Sequence, residues 1–428
     1  MRKPKEVEIT IPYNFQPRDY QIAQYKAMDN GIKRAVKCWH RRAGKDLCDW
    51  NYLIKRAVED KPGAYWYIFP TLKQGRKALW EGFTKDGMPY LGFIPDQLRK
   101  RVNNQEMIIE LVNGAVIRVV DAIPDKSVGA GVRGAVFSEY SLMRPSMLEY
   151  VEPMLLENNG WAIFNGTPRG ENHFYKLLQM AKANPAWFAQ VCTIEDTGVV
   201  SLEQIDALRL EGRPEELIQQ EYYCSFNGSI LGAYYAKEMA DIGRSGRIKT
   251  LEYDASFLVN TAWDIGIGDS TAVWFYQVCD NQVRLIDYYE QSGWGLPKWA
   301  EYLKEKPYSY GAHYAPHDME AREFGTGQSR IDQAKKLGIT FKVCPKLRVE
   351  DGISAVRNLL PRCIFSADRC KEGVDALKQY RAEWDEEKHI LSAKPLHDWS
   401  SHGADAFRYL ALTLKDDKPK FNYSQLYD

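Results

Sequence analysis

Residues 35–46 of the chain read AVKCWHRRAGKD, an apolar run followed by a short polar loop and then by residues with a helical pattern. A strand, a tight loop and a helix in this order are typical of a phosphate-binding loop. In such a loop, backbone N–H groups at the helix N-terminus cradle phosphate oxygens, and a lysine reaches the terminal phosphates. We therefore expect the nucleotide-binding residues of this loop to be Arg42, Ala43, Gly44, Lys45 and Asp46.

The loop departs twice from the usual spacing GxxxxGK[ST]. Trp39 stands where the first glycine belongs, and Asp46 stands where a Ser or Thr hydroxyl holds magnesium. Alone, the loop is a weak signal, so its weight depends on the segments around it.

Three of these segments resemble parts of helicase-like ATPases and occur in the expected order. Gln21, in FQPRDYQ, is expected to read the adenine edge, although Pro17 also fits an ordinary helix start. The apolar run 135–137 ends in Ser138-Glu139, where Glu139 is expected to orient the attacking water. A later apolar run ends in a polar turn at Thr167, where such ATPases sense the γ-phosphate.

The composition is ordinary for a globular chain: of 428 residues, 45% are hydrophobic and 27% are charged, and the length suits two or three domains. Lys plus Arg and Asp plus Glu both number 57, so the net charge argues neither for nor against nucleic-acid binding. The eight cysteines form no CxxC pair, which excludes a zinc ribbon or a disulfide scaffold, and we expect them to be reduced and mostly buried. The N-terminal MRKPKEVEIT lacks an apolar core and no apolar run is long enough to span a membrane, which favours a cytosolic protein.

The order of apolar runs changes near residue 245. Before this point strand-like runs alternate with helical stretches, which indicates an α/β fold with a mostly parallel sheet. After it, three strand-like runs follow one another across short turns, which predicts a β-meander followed by alternating strands and helices. The predicted strands are 35–39, 65–69, 116–120, 135–137, 161–164, 257–263, 271–278, 282–288, 311–316 and 340–343, with helices at 329–337 and from about 402 to 414. The predicted domains are 1–225 and 251–415, with a linker region at 226–250 and a flexible tail at 416–428.

Three aspartates in the second half are candidate metal ligands. Asp264 ends the first run of the meander, Asp318 follows a later strand, and Asp405 lies in the first turn of the last predicted helix. Hydrolysis of phosphodiesters by two metal ions needs several carboxylates that converge on Mg²⁺ or Mn²⁺. Each aspartate alone fits a cap or turn residue, but their order and the predicted topology favour a shared metal site. Secondary candidates are Asp269, Asp287, Asp398 and His402.

Together these segments resemble the large terminase subunits of tailed bacteriophages. The matching segments are the Gln21 region, HRRAGKD at 40–46, Phe69-Pro70-Thr71 with Gln74, GVRG at 131–134 before FSEY, Gly166-Thr167-Pro168, and Gln220-Glu221-Tyr222. The resemblance implies a P-loop ATPase domain of the helicase-like ASCE type and a C-terminal ribonuclease H-like nuclease domain. It also implies that Arg41 and Lys45 stabilise the phosphates, and it makes Arg133 a weaker candidate for an arginine donated to a neighbouring subunit.

The same resemblance implies ATP and Mg²⁺ or Mn²⁺ as cofactors. It further implies translocation of double-stranded DNA into a prohead and endonucleolytic cleavage of concatemeric DNA. The implied partners are DNA, a portal protein, a small terminase subunit and further copies of the chain in a ring on the portal, with no membrane. The implied location is the host cell cytoplasm.

The departures in the loop suggest an exchange of metal ligands. The carboxylate and the hydroxyl that usually lie near magnesium are both present, but Asp46 carries the first on the loop and Ser138 carries the second on the strand. The alternative is that Asp46 only caps the helix.

Two other functions remain open from the residues alone. One is a helicase-like repair ATPase whose C-terminal half binds nucleic acid without catalysis, and the other is a nuclease or recombinase whose loop has lost ATPase activity. For DNA contact, the candidate cations are Arg99, Lys100, Arg101, Lys346, Arg348 and Lys394.

Overall fold

The computed structural model of the protein describes residues 14–123, 131–226, 230, 232–266, 270–321, 328–385 and 390–414. The chain folds as two compact units, Met1–Ser229 and Ile230–Asp428, and the division falls within the predicted linker region. The predicted tail and Asp269 lie outside the described residues.

The first unit is built on one mixed sheet. Its strands are β1 (Arg34–Trp39), β2 (Ala64–Phe69), β3 (Arg99–Asn103), β4 (Ile108–Leu111), β5 (Val116–Asp121), β6 (Val132–Phe137), β7 (Trp161–Gly166) and β8 (Trp187–Cys192). Its α-helices are α1 (Asp19–Asp29), α2 (Lys45–Glu59), α3 (Leu72–Gly75), α4 (Met147–Glu157), α5 (His173–Ala183), α6 (Ile194–Thr197), α7 (Leu202–Leu210) and α8 (Glu215–Tyr222).

The strand order of this sheet is β3-β4-β5-β2-β6-β7-β1-β8. The last six strands in this order are all parallel, and β4 and β3 add antiparallel pairs at one edge. The predicted α/β fold with a mostly parallel sheet is confirmed. Since β7 lies between β1 and β6, the segments that follow these three strands meet at the same edge of the sheet. This edge carries the phosphate loop, Glu139 and Thr167.

The second unit contains a second large sheet and a two-stranded one. Its strands are β9 (Ile248–Lys249), β10 (Val259–Asp264), β11 (Ser270–Cys279), β12 (Gln282–Ser292), β13 (Tyr310–Ala315), β14 (Phe341–Val343), β15 (Cys363–Ser366), β16 (Ala382–Asp385) and β17 (Ile390–Pro395). Its α-helices are α9 (Ala236–Arg244), α10 (Leu296–Glu305), α11 (Arg330–Lys336), α12 (Val349–Leu359), α13 (Lys371–Gln379) and α14 (Trp399–Thr413).

The order of the large sheet is β14-β13-β10-β11-β12-β15-β9. The strands β10, β11 and β12 form the predicted antiparallel meander, and β13 and β14 then add in parallel beside β10. This arrangement of a meander followed by parallel strands confirms the expected fold class of the second half. Because β10 and β13 are parallel neighbours, Asp264 and the turn after Ala315 lie at the same edge of the sheet.

The last helix begins earlier than predicted. It runs from Trp399 to Thr413, and the Asp398 side chain caps it by accepting a hydrogen bond from the Ser400 backbone N–H at 2.9 Å. Asp405 therefore lies in the second turn, so the prediction that it lies in the first turn is wrong. The cap residue, rather than the apolar pattern, sets where this helix begins.

The last helix packs closely on the meander at Gly403. A Cβ atom at this position would lie 2.7 Å from the Tyr288 hydroxyl oxygen, closer than a side chain tolerates. The Trp274 indole N–H also donates a hydrogen bond of 2.8 Å to the Gly403 carbonyl. Glycine at this position thus lets α14 bring His402 and Asp405 close to the sheet.

All eight cysteines are free and seven of them are buried, as expected. None of the described helices is both long and apolar enough to cross a membrane.

Candidate nucleotide and metal sites

The phosphate loop links β1 to α2 through two residues with left-handed backbone conformation. Arg42 has φ 71° and Gly44 has φ 75°. Glycine adopts this conformation without steric cost, which explains why Gly44 stands immediately before Lys45, the first residue of α2. A Cβ on Gly44 would lie 3.4 Å from Gln21 Nε2, so this glycine also lets α1 approach the loop.

Lys45 begins α2 and is buried at the edge of the sheet. Its Nζ donates hydrogen bonds to the carbonyl of Trp39 at 3.2 Å and to the carbonyl of His40 at 3.5 Å. The same Nζ lies 3.5 Å from Glu139 Oε1. The lysine and the candidate base are therefore neighbours, as the order of motifs predicts.

Glu139 follows β6 in a left-handed backbone conformation, with φ 56° and ψ 46°. Its backbone N–H donates to Asn165 Oδ1 at 3.1 Å, and its Oε2 accepts from the Thr167 hydroxyl at 3.4 Å. The structure thus brings together Lys45, Glu139 and Thr167, which the sequence places far apart.

Asp46 and Ser138 are in direct contact. The Ser138 hydroxyl donates a hydrogen bond of 2.6 Å to Asp46 Oδ1, and the Tyr67 hydroxyl donates to the same oxygen at 2.8 Å. Burial, together with the Asp46 charge, raises the pKa of Tyr67 well above its ordinary value, so this phenol stays a donor. The donors to Asp46 are neutral hydroxyls, which leaves a carboxylate and a hydroxyl side by side as hard oxygen ligands that suit magnesium.

Two arginines near the loop contact one buried carboxylate. Glu221 Oε1 accepts from Arg169 at 2.6 Å, while Glu221 Oε2 lies 3.9 Å from an Arg41 nitrogen. Burial acts to raise the pKa of Glu221, but Arg169 and, more weakly, Arg41 and Lys45 hold it below its ordinary value. Arg41 is therefore close to the loop but engaged with a carboxylate that the sequence did not identify as its partner.

Gln21 faces the phosphate loop. Its amide nitrogen donates to the Gly44 carbonyl at 3.3 Å and lies 3.5 Å from the Ala43 carbonyl, and its Oε1 accepts from the Arg18 backbone N–H at 3.0 Å. Pro17 precedes the cap residue Arg18, so it lies outside the first helical position considered for it.

Arg133 lies elsewhere in the first unit. It is near the start of β6, at the edge of the sheet opposite the phosphate loop, and its Nε donates to the Pro62 carbonyl at 2.9 Å. Within one chain it is therefore not part of the site around Lys45.

In the second unit, Asp264 and Asp405 each have a protein partner. His402 Nδ1 lies 3.2 Å from Asp264 Oδ2, the Tyr380 hydroxyl donates to Asp405 at 2.9 Å, and an Arg408 nitrogen lies 3.3 Å from Asp405. Burial and the nearby Asp264 charge raise the pKa of Asp405, although Arg408 acts in the opposite direction. A divalent cation would relieve this repulsion between carboxylates.

All three candidate aspartates raise the pKa of one tyrosine on α14. The pKa of Tyr409 is raised first by burial, then by Asp264, and further by Asp405 and Asp318. Among the residues that the structure describes, no three Asp, Glu, His or Cys side chains lie close enough together to hold a metal ion. The three carboxylates thus share one region and fit a divalent cation in charge and donor type, but a cation would have to draw them closer.

The secondary candidates have other contacts. Asp287 is buried and binds Lys306 Nζ at 2.7 Å and the Tyr308 hydroxyl at 3.1 Å. Asp398 caps α14 and pairs with Arg381 at 3.0 Å. His402 contacts Asp264, so of the described secondary candidates it is the one directly bonded to a proposed metal ligand.

Among the candidate DNA contacts, Arg99 has a structural role. It begins β3 and donates to the carbonyls of Leu91 and Ile94 at 2.6 Å each. Arg99 therefore helps to hold this edge strand in place, while Lys100 and Arg101 on the same strand are exposed and stay predictions for DNA contact.

Sequence reasoning missed several residues of these sites. In the first unit they are Asp49, Asn165 and Arg169, and in the second they are Tyr380 and Arg408. A polar residue inside an apolar strand, as Asn165 is in WAIFNG, was the one available signal.

No family profile matches the chain. The chain is similar to the curated large terminase subunit of Escherichia phage T5, with 26% identity over 333 residues that cover 74% of each chain. This confirms the resemblance inferred from the motifs.

Similar solved structures include the ATPase domain of the Thermus phage P74-26 large terminase (20% identity, 50% of this chain and 95% of that chain, TM-score 0.43). The HK97 bacteriophage large terminase is also similar (10% identity, 94% and 95% coverage, TM-score 0.40), as is the P22 large terminase nuclease domain (19% identity, 40% and 89% coverage, TM-score 0.32).

Proposed function

We propose that this chain, a relative of the phage large terminase subunits, hydrolyses ATP in its first unit to drive double-stranded DNA into a prohead. Its second unit then cuts concatemeric DNA with the help of Mg²⁺ or Mn²⁺. The observation that carries the ATPase proposal is the meeting of Lys45, Glu139 and Thr167 at the ends of β1, β6 and β7. These residues supply the cation, the carboxylate and the sensing hydroxyl that phosphoryl transfer to water requires.

In this proposal each side chain has a distinct role. Lys45 leaves its carbonyl partners in the loop and binds the terminal phosphates. Arg41 leaves Glu221 and stabilises the charge that develops in the transition state. Glu139 orients the attacking water and accepts its proton, while Thr167 reports the state of the site to the segment that follows it.

Asp46 and Ser138 would hold the magnesium that accompanies ATP. That ion neutralises charge on the phosphate oxygens when it is bound. The contact between the two side chains supports the proposed exchange, because both oxygens are near the start of α2. Gln21, Arg42, Ala43 and Gly44 complete the proposed nucleotide site.

In the second unit, Asp264, Asp318 and Asp405 would hold the metal ions of the nuclease, which polarise the phosphodiester and activate water. His402 orients Asp264, and Tyr380 with Arg408 orients Asp405. The parallel pairing of β10 with β13 and the contact of His402 on α14 with Asp264 support this assignment.

The proposed partners follow from the relationship to large terminases. We expect the chain to act in the host cell cytoplasm, in a homo-oligomeric ring on a portal protein, with a small terminase subunit and without a membrane. Arg133 faces away from its own phosphate loop, which is compatible with a role toward a neighbouring subunit.

ATPase and metal-dependent nuclease assays on one preparation test this function. We expect Lys45→Ala to abolish ATP turnover and spare DNA cutting, and Asp264→Ala to do the reverse. Lys61→Ala and Glu252→Ala, which change exposed charges in the same units, should leave both activities intact. ATP turnover with no cutting of DNA would instead support the repair ATPase, and cutting without ATP turnover would support the nuclease or recombinase.

A further inference from the structure

A buried ion pair lies behind the phosphate loop, outside the residues assigned above. Lys37 on β1 and Asp49 on α2 are both fully buried, and Lys37 Nζ donates to Asp49 Oδ1 at 2.5 Å. The removal of two charges from water offsets much of their attraction, so such a pair is weak evidence for a purely stabilising role. Its other contacts indicate a different role.

Asp49 joins four elements of the first unit. Its Oδ1 also accepts from Gln24 Nε2 on α1 at 3.1 Å, and its Oδ2 accepts from Asn165 Nδ2 on β7 at 2.6 Å. Asn165 lies beside Lys37 in the register of β1 and β7. All four side chains are buried, so water does not compete for these hydrogen bonds.

Asn165 extends this network to Glu139. Its Oδ1 accepts the Glu139 backbone N–H at 3.1 Å, at a residue whose left-handed conformation is costly for a side chain with a Cβ. An ionised carboxylate only accepts hydrogen bonds, so Asp49 requires the Nδ2 side of the Asn165 amide. The opposite side, Oδ1, must then face Glu139.

We propose that Asp49, with Lys37 as its counter-ion, is a positioning residue that acts through Asn165 to hold Glu139 in place for ATP hydrolysis. This inference rests on the proposed ATPase function. In this proposal the buried charges orient the Asn165 amide. That amide in turn holds the backbone of Glu139, which carries the catalytic carboxylate.

The first test is Asn165→Leu, which removes the link to Glu139 but leaves the Lys37–Asp49 pair in place. We expect kcat for ATP to fall about 10- to 100-fold, because a small misplacement of a catalytic group has effects of this size. The KM for ATP and the Kd for ADP should change by less than about threefold, since the residue acts on the chemical step.

Asn51→Leu is a matched control. Asn51 is also a buried asparagine, two residues after Asp49 on α2, but among the described residues its amide donates to the Leu47 carbonyl of its own helix and to no other element. We expect it to leave kcat unchanged. An equal fall in kcat for both variants at equal stability would overturn the proposal.

A double-mutant cycle separates positioning from general packing. In the Glu139→Gln background, Asn165→Leu should have almost no further effect on kcat, because the group that it positions is already absent. If Asn165→Leu lowers kcat by the same factor in the Glu139→Gln background as in the original chain, the positioning role is overturned. Asp49→Asn should repeat the kcat loss of Asn165→Leu, and if that variant does not fold, the Asn165 cycle still decides.

The two levels of proposal fail differently. ATP turnover that is absent, or that survives Glu139→Gln, would overturn the proposed function and the positioning role with it. Turnover that depends on Glu139 but is unchanged in Asn165→Leu would overturn the positioning role alone.

Discussion

The carboxylates proposed to bind metal differ in their partners between the two candidate sites. In the first unit, Asp46 accepts hydrogen bonds from the neutral hydroxyls of Tyr67 and Ser138. In the second unit, Asp405 lies beside the Arg408 guanidinium, and its pKa is raised by burial and by a second carboxylate. Neutral donors orient a carboxylate without neutralising it, whereas a protein cation such as Arg408 partly neutralises the carboxylate that it contacts.

This difference suggests how each site meets its metal. The proposed ATP site has its candidate oxygen ligands already adjacent, so we expect magnesium to enter with the nucleotide and require little rearrangement. At the proposed nuclease site, Asp264 and Asp405 are held by protein groups, so we expect metal binding to compete with those contacts. We expect the nuclease to depend more steeply on metal concentration than the ATPase does.

The largest expected effect concerns the exchanged ligands. We predict that Asp46→Ser alone lowers ATP turnover about a hundredfold, because the site loses its metal-facing carboxylate. The double change Asp46→Ser with Ser138→Asp restores the usual arrangement and should recover most of the activity. Steady-state ATPase assays at varied Mg²⁺ check this, and no recovery in the double variant would overturn the proposed exchange of metal ligands.

A second prediction concerns acid stability, where the two units should behave alike. Burial lowers the pKa of His313 to about 4 in the second unit, and that of His173 to about 4 in the first. The Thr261 hydroxyl accepts a hydrogen bond from the Trp263 indole N–H and also contacts His313 Nδ1 at 2.7 Å. Because burial lowers the pKa of His313, its ring stays neutral in the folded chain down to about pH 4.

The unfolded chain therefore takes up a proton on His313 near pH 6.5, while the folded chain does so only near pH 4. Stability from this group is complete above about pH 6.5 and is lost as the pH falls towards 4, by about 3 kcal/mol in all. Urea unfolding between pH 7 and 4.5 measures the loss. His313→Asn should make the pH dependence of the second unit shallower, and an unchanged dependence would contradict the prediction.

A smaller effect is expected at the nuclease site. Tyr380→Phe removes the hydroxyl that donates to Asp405, and we expect the Mn²⁺ concentration for half-maximal DNA cutting to rise about tenfold with ATPase unchanged. Tyr235→Phe is the matched control. Its ring stacks on that of Tyr380, but its hydroxyl has no hydrogen-bond partner among the described residues. A similar rise in both variants would show that packing, not the hydrogen bond, matters.

Much of the fold was predictable because its signals are local. The apolar runs at 35–39, 65–69 and 161–164 are central strands, and the turn at 280–281 separates two strands of the meander. Strands without such a run were missed. The strand β3 reads RKRVN and was interpreted as a basic patch, and β8 reads WFAQVC and is only partly buried.

The candidate sites were predictable only where a motif spans neighbouring residues. Lys45, Glu139 and Thr167 each follow an apolar strand, and parallel topology brings such positions together. Asp49 carries no such mark, and Asn165 is marked only as a polar residue in an apolar strand. The importance of both arises from a contact between α2 and β7, whose residues are 116 positions apart in sequence. The partners of Asp405 are likewise set by tertiary packing of α13 and α14.

Gly403 has no side chain, and this absence sets how closely the last helix approaches the meander at the proposed nuclease site. His402 and Asp405 lie on the same helix as Gly403. A methyl group at position 403 would press against the Tyr288 hydroxyl and move both residues away from Asp264 together. The distance between Asp264 and the two helix residues therefore depends on the absence of a Cβ atom at position 403.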